Sequence, residues 1–427
     1  MEHLIKRNNA LTVCTMKSEP DTSASKYSAL VHRVLNSLTD ASLIIQEDGK
    51  TYVFGDESSS LQGKIIIHDK SFYRDAILGG SIGAAEAYLD EKWSSPELTQ
   101  VVRILARNQS QLDEIDRKTR WLSRIKNWWS RRQNVNSETG SKRNILAHYD
   151  IGNDLYERFL DPAMQYSSAI FAPSTPTLSG AQQNKMRIIC QRLDLKASDH
   201  VIEIGTGWGG LAIYMAQHVG CKVTTTTISE AQFEYAESRV KDLNLEDKIT
   251  LLKQDYRKLD GEFDKLVSVE MIEAVGHEYL PTFFSKCSSL LKPDGRMLIQ
   301  SITIADSRYE TYRKGTDFIQ KYIFPGGCLP SIAVITSNMA LHTDMVVDEI
   351  QDIGLQYART LRNWNRSFEA SWTELKQRGY SEEFHRLWQF YLCYCEGAFI
   401  ERVISTHHIV ARKPRYLDKK DEIVLDY

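Results

Sequence analysis

The chain has 427 residues, 42% hydrophobic and 26% charged, which is enough for two or three domains with a sizeable core. Lysine and arginine number 53 against 56 aspartates and glutamates, a formal charge of −3, which argues against a general nucleic-acid binder. Seven cysteines without regular spacing point to reduced thiols instead of a disulfide framework, and no window approaches the ~18 apolar residues of a membrane span.

Residues 1–26 are polar and mixed and read as a loose tail. The first nine residues lack an apolar signal core, so the chain is expected in the cytoplasm with any membrane contact peripheral. Residues 27–107 read as a small α+β domain. Tyr52–Phe54 and Lys64–His68 are expected as short strands, and Phe72–Leu78 and Ala84–Leu89 as helices flanking Gly79–Gly83. Residues 108–147 hold a basic, tryptophan-rich helix and a polar linker. On a helix, Trp121, Leu122, Ile125, Trp128 and Trp129 share one face, while seven lysines and arginines between Arg117 and Arg132, Arg124 among them, flank or oppose it. Such a helix suits a phospholipid interface, with Trp121, Arg124, Trp128 and Trp129 as the contacts. A helix packed between domains would carry the same pattern.

From His148 onward the character changes. Strands are expected at 200–205, 221–228, 248–255, 263–270 and 295–303, with helices between them such as 229–243 and 277–291. That alternation predicts an α/β fold with a doubly wound, mostly parallel sheet. An insertion at about 306–340 is rich in aromatics. Trp372–Ile404 reads as helical, and His407–Arg412 as a closing edge strand.

The first strand of this region runs into Gly205-Thr-Gly-Trp-Gly-Gly210. Glycines allow a sharp turn lying close against a ligand, and a following helix offers free N–H groups. The letters fit a dinucleotide fingerprint, yet Glu203 precedes the first glycine and no acidic residue ends the next strand, Val223–Ile228. The pattern from Glu203 resembles instead the S-adenosylmethionine (SAM) loop of methyltransferases, where the acid holds the charged amino-acid end of the cofactor. His277 has no zinc-type partner spacing, so no metal is expected.

Three more stretches combine with this loop. They are His148-Tyr-Asp-Ile-Gly-Asn-Asp-Leu-Tyr156 with Met164-Gln-Tyr-Ser-Ser168, then Glu270-Met-Ile-Glu-Ala-Val-Gly-His277, then Lys321-Tyr-Ile-Phe-Pro-Gly-Gly327. In this order and spacing the chain resembles the cyclopropane-fatty-acid-phospholipid synthase family, from about residue 70 to the end. The resemblance implies a class I, Rossmann-like SAM-dependent methyltransferase domain over 148–427, with a lipid-binding domain at 27–107. It implies SAM contacts from Tyr166, Ser167, Glu203, Gly205, Gly207, Gly209, Thr227, Ile228, Gln232 and the turn Asp255, Tyr256, Arg257. Asp255 would equally serve as the cap of a following turn.

The same resemblance implies transfer of a methyl group to the alkene of an unsaturated phospholipid acyl chain, then proton loss and closure of a cyclopropane. The base in the family is a bound bicarbonate ion, whose ligands map onto Ser168, Glu273, Gln300, Ile302 and Tyr357. Cysteine at 168 and histidine at 300 are the common pattern. Serine keeps a small hydroxyl and the backbone donor, whereas Gln300 cannot take up a proton. Cys395 aligns with a cysteine once proposed as catalytic. On an apolar helix it reads as a small hydrophobe. His148 and Asp150 would order a loop at the mouth of the site. A homodimer is implied by the likeness alone. Methyl branching, a small-amine N-methyltransferase and a SAM-binding lipid sensor are the other readings. The small domain and the tryptophan helix argue against a soluble amine as substrate.

Overall fold

The computed structural model describes residues 26–109 and 152–417, and the chain divides into two compact units, residues 1–122 and 123–427. The first begins with helix α1 (Lys26–Leu35), followed by β1 (Ser42–Glu47), β2 (Lys50–Gly55) and β3 (Gln62–Ile67). Helix α2 (Ser71–Leu89), β4 (Trp93–Ser94) and α3 (Leu98–Arg107) complete it. Its sheet has the order β2-β1-β3-β4. β1 pairs antiparallel with β2 through a tight turn at Asp48-Gly49, where both φ angles are positive, and parallel with β3. The two expected helices around Gly79–Gly83 form one span, broken at Gly80, whose φ is 58° and ψ −140°. The expected strand Tyr52–Phe54 lies within β2, and Lys64–His68 overlaps β3, which ends one residue earlier at Ile67. The sequence reading missed β1, whose buried Leu43 and Ile45 alternate with less buried neighbours.

The second unit runs α4 (Asn153–Phe159), α5 (Leu178–Arg192), β5 (His200–Ile204), α6 (Gly210–His218), β6 (Lys222–Thr227), α7 (Glu230–Asp242) and β7 (Ile249–Lys253). It continues through β8 (Phe263–Val269), α8 (Leu280–Ser289) and β9 (Leu291–Ile304). After β9 come α9 (Asp306–Tyr312), α10 (Phe318–Tyr322), α11 (Ile332–His342) and β10 (Val346–Asp352), then α12 (Gly354–Gln377), α13 (Glu382–Ile400) and β11 (Ile404–Arg412). The seven strands are ordered β10-β11-β9-β8-β5-β6-β7. Pairs from β9 to β7 are parallel, while β11 is antiparallel to both β9 and β10.

The expectation of β11 as the edge strand is corrected: β10 lies outside it. β10 is acidic and exposed along most of its length, as an outermost strand can be, and so gave no strand signal. The helical reading of Trp372–Ile404 is likewise corrected to two helices, the first beginning at Gly354, with β11 already under way at Ile404.

Strand periodicity assigns each side chain a face. One apolar layer takes Ile202, Leu266, Met297, Ile299 and Ile409, packed against α8 and α11 through Phe283, Phe284, Ile335 and Met339. The other takes Val201, Val223, Val267, Leu298 and Val410, packed against Met186 and Ile189 of α5 and Leu211 and Met215 of α6. Two residues further along, this second face becomes polar with Glu203, Thr225, Gln300 and His408, all buried. A polar layer at the carboxyl ends of the strands is where an open α/β sheet binds its ligand.

Candidate active site

The glycine loop joins β5 to α6. Gly205, Gly207 and Gly209 all have positive φ, which L side chains rarely adopt. A Cβ at Gly210 would run into the Ala163 carbonyl, so the loop can lie against the 161–168 segment only without a side chain there. Arg239 fastens both pieces, donating to Ala163 O at 3.2 Å and Trp208 O at 3.0 Å. At Gly207 a Cβ would meet nothing within 4 Å, leaving an open approach to the loop backbone. Glu203 sits behind the loop, its Oε2 accepting from Thr225 Oγ1 at 2.6 Å, and Thr225 and Thr206 hydroxyls lie 2.8 Å apart. Burial pushes its carboxyl up to about 8.

Beyond β6, the Thr227 hydroxyl donates to Gln232 Oε1 at 3.0 Å, which leaves the Gln232 amide nitrogen as the donor end. Ile228 is half-buried between them. Asp255 caps the turn at Tyr256–Lys258 and pairs with Arg257, Oδ2 lying 2.6 Å from Nη2. Open glycine backbone, a free amide donor and a half-buried turn fit a sulfonium nucleoside. When bound, SAM supplies an electrophilic methyl group.

The second centre lies at the ends of β8 and β9. Glu270 directly follows β8, and its neighbour Met271 is the side chain a Cβ on Gly205 would meet, at 3.3 Å. Glu270 Oε1 accepts from Ser168 N at 3.0 Å and Gln300 Nε2 at 2.8 Å, and Oε2 from the Tyr357 hydroxyl at 2.7 Å. Glu273, one turn on, accepts through Oε1 from Ile302 N at 2.6 Å and Ser301 Oγ at 3.2 Å. Its Oε2 is buried with no hydrogen-bond partner. Burial and the neighbouring Glu270 charge push the Glu273 carboxyl up to about 8. Burial, then Glu270, raises Tyr357 well above the usual phenol range, so it stays a donor. The Cys328 N–H donates to Glu273 O at 2.8 Å and so ties the 306–340 insertion to this turn.

Aromatic rings surround both centres. Tyr166 lies 5.2 Å from Trp364 and 6.3 Å from Phe324, and its hydroxyl is 2.9 Å from that of Tyr391. Tyr357 packs 4.6 Å from Phe399, and Tyr156 joins Tyr166 to Trp208 of the glycine loop. Ser167 and Gln165 accept from the buried Lys185 amine at 2.8 and 2.7 Å. Burial brings that amine down to about 8.

Of the residues expected to ligate bicarbonate, Ser168, Gln300 and Tyr357 converge through Glu270, while Glu273 and Ile302 pair directly. Cys395 is a half-buried helical residue whose thiol is pushed up by burial, as suits a packing role. Trp121, Arg124, Trp128 and Trp129 lie outside the described residues, as do His148 and Asp150. Among the described residues no cluster of His, Cys, Asp and Glu is arranged to hold a metal, and no helix is long and apolar enough to cross a membrane. Sequence reasoning missed the part played by Glu270, along with Lys185 and His408. Glu270 stood within a quoted motif, but nothing in the letters shows that its carboxylate turns toward Ser168.

The mycolic acid cyclopropane synthetase family profile matches residues 136–409. The chain is 37% identical over 327 residues to the tuberculostearic acid methyltransferase UfaA1 of Mycobacterium tuberculosis, spanning 75% of this chain and 76% of that protein. It is 36% identical over 355 residues to the cyclopropane-fatty-acyl-phospholipid synthase of Escherichia coli, spanning 83% and 88%. Among solved structures it is similar to mycolic acid cyclopropane synthase CmaA1 complexed with SAH and CTAB. That match has a TM-score of 0.59 at 27% identity and covers 64% of this chain and 98% of the other. The chain therefore belongs to the mycolic acid cyclopropane synthetase family of SAM-dependent methyltransferases.

Proposed function

We propose that this protein transfers a methyl group from SAM to the double bond of an unsaturated acyl chain of a membrane phospholipid, and that the product is a cyclopropane. The observation that carries the reading is a half-buried carboxylate pair, Glu270 and Glu273, beside the glycine loop and near the rings of Tyr166, Tyr357, Trp364 and Phe324. An alkene is a weak nucleophile, so it must be held in line with the methyl and kept from water. Aromatic faces stabilise the positive charge that develops on the chain. Gly205, Gly207, Gly209, Thr227, Ile228, Gln232 and the Asp255–Arg257 turn would hold SAM, with Tyr166 and Ser167 closing over it. Glu203 would act on the loop through Thr225 and Thr206.

A free bicarbonate does not fit the donor set, because Ser168, Gln300 and Tyr357 already converge on Glu270. We assign the 27–107 unit and the basic tryptophan segment to the membrane surface, with the protein working peripherally from the cytoplasmic side, and the homodimer to the same family likeness.

The test is incubation with SAM and vesicles of unsaturated phosphatidylglycerol. It should yield S-adenosylhomocysteine and a lipid one methylene heavier, with ring-specific proton signals. Unchanged lipid overturns the reading. Methyl branching is the second reading, favoured by the 37% identity to a tuberculostearic acid methyltransferase. Its unreduced methylene product would have the same added mass and its reduced, methyl-branched product two hydrogens more, and neither would give ring signals.

A further inference from the structure

The donors that family likeness assigns to a small oxyanion close here on a side chain. Two N–H groups meet one oxygen of Glu270 and a phenol meets the other. Together they serve one planar carboxylate, the same charge and shape that a bicarbonate presents. Among the described residues no lysine or arginine forms a salt bridge with Glu270, so an ordinary ion pair does not explain its place. The backbone is strained to put it there: φ at Glu270 is +49°, a left-handed conformation that residues with a side chain rarely adopt. Such strain persists where the surroundings over-determine it, commonly at functional sites.

We propose that Glu270 occupies the seat of the free anion and is itself the proton acceptor, so that the reaction needs no bound bicarbonate. This rests on the methyl-transfer reading above. Once the alkene π electrons have bonded one alkene carbon to the incoming methyl, whose C–S bond breaks with its electron pair left on the sulfur, the other alkene carbon is positive. A C–H bond of that methyl then breaks, its electron pair closes the third side of the ring, and the proton goes to Glu270 Oε2. Glu270 is left as a neutral acid and returns the proton to water after the product leaves. The pair divides its roles by environment. Burial raises the Glu270 carboxyl, but its three donors all favour the charged form, whereas Glu273 has an unpartnered Oε2 and carries the proton.

The experiment compares full-length wild type with E270G and E270Q, using SAM and unsaturated phosphatidylglycerol vesicles in CO2-depleted buffer, with and without added bicarbonate or formate. Wild-type turnover should be the same with and without bicarbonate. E270Q should fall roughly hundredfold or more, the scale of a lost general base. E270G, which relieves the strained φ, should fall as far in depleted buffer and recover when bicarbonate or formate is added.

Melting curves provide a second readout. Bicarbonate should raise the melting temperature of E270G and leave that of wild type unchanged. Wild-type turnover that collapses on CO2 depletion and returns with bicarbonate would overturn the proposal, as would an E270Q as fast as wild type. Wild type that leaves every lipid unchanged would overturn the methyl-transfer reading and the base role with it. The melting comparison still decides what fills the seat.

Discussion

Gln300 and His408 face each other across β9 and β11, and the Gln300 amide oxygen lies 2.8 Å from His408 Nε2. An amide oxygen only accepts, so His408 must carry its hydrogen on Nε2. Burial holds the ring's pKa down to about 3, which keeps it neutral. The pairing turns the Gln300 NH2 toward Glu270 and so makes it a donor to the carboxylate. Replacing His408 with Ala frees the amide to rotate. Turnover should drop roughly tenfold, the worth of one hydrogen bond to a charged group, while SAM affinity stays within error. A SAM dissociation constant that rises in parallel with the loss of turnover would mean that His408 merely supports the fold.

Tyr357→Phe removes the donor to Glu270 Oε2 without changing ring packing on Phe399. Turnover should fall roughly ten- to hundredfold with little change in melting temperature. Because the phenol stays protonated far above neutral pH, the wild-type rate should show no alkaline step from this group.

Glu273 gives the pH dependence of stability a definite sign. An unfolded glutamate ionises near 4.5, whereas burial and Glu270 hold the folded one protonated to about 8. As pH rises from about 4.5 toward 8, the unfolded chain sheds a proton that the folded chain keeps, so stability falls across that window. Glu203, also raised to about 8, adds to the same fall. Lys185, lowered to about 8, changes stability only above that pH, where the folded amine gives up a proton that the unfolded one keeps to about 10.5, so its contribution rises there. Glu273→Gln stays neutral throughout. Its melting temperature should therefore decline less steeply between pH 5 and 8, ending a few degrees above wild type. Parallel melting profiles for the two proteins would show that Glu273 is ionised in the fold.

The parallel sheet was legible because its buried strands, such as Val201–Ile204 and Leu266–Val269, are mostly apolar and separated by helical patterns. The glycine loop was legible because few backbones need glycine at 205, 207, 209 and 210 together. β10 was hidden, since an exposed strand reading Val-Val-Asp-Glu-Ile-Gln-Asp buries too little to leave a hydrophobic trace. The site was half legible. Ser168, Gln300 and Tyr357 come from a loop, a strand and a helix far apart in sequence, and resemblance brought them together. That they meet on Glu270 depends on a positive φ and on strand register, neither of which a string of letters encodes. His408 was invisible for the same reason: only the β9–β11 register puts it opposite Gln300.

The tryptophan segment yields a prediction from sequence alone. Trp121, Trp128 and Trp129 changed together to Ser should weaken co-sedimentation with anionic vesicles, while the cooperative melt and SAM binding persist. Loss of the cooperative melt would instead identify the helix as packed between domains.

The glycine loop can be tested by two substitutions that differ in what they disturb. At Gly207 a methyl group has open space but must adopt φ +52°, so Ala there should cost roughly 1–2 kcal/mol and leave the fold intact. The same methyl projects into the open approach where the cofactor is assigned, so SAM affinity should fall at least tenfold. At Gly210 the methyl would meet the Ala163 carbonyl and the Gln165 amide, pushing the loop off the 161–168 segment. Ala there should cost roughly 1–3 kcal/mol, as overpacking does. It should weaken SAM and slow turnover beyond the loss in SAM binding, because Ser167 and Ser168 ride on the displaced segment. Calorimetric SAM titration with melting curves separates the two. A Gly207→Ala protein that binds SAM as tightly as wild type would place the cofactor somewhere other than this loop.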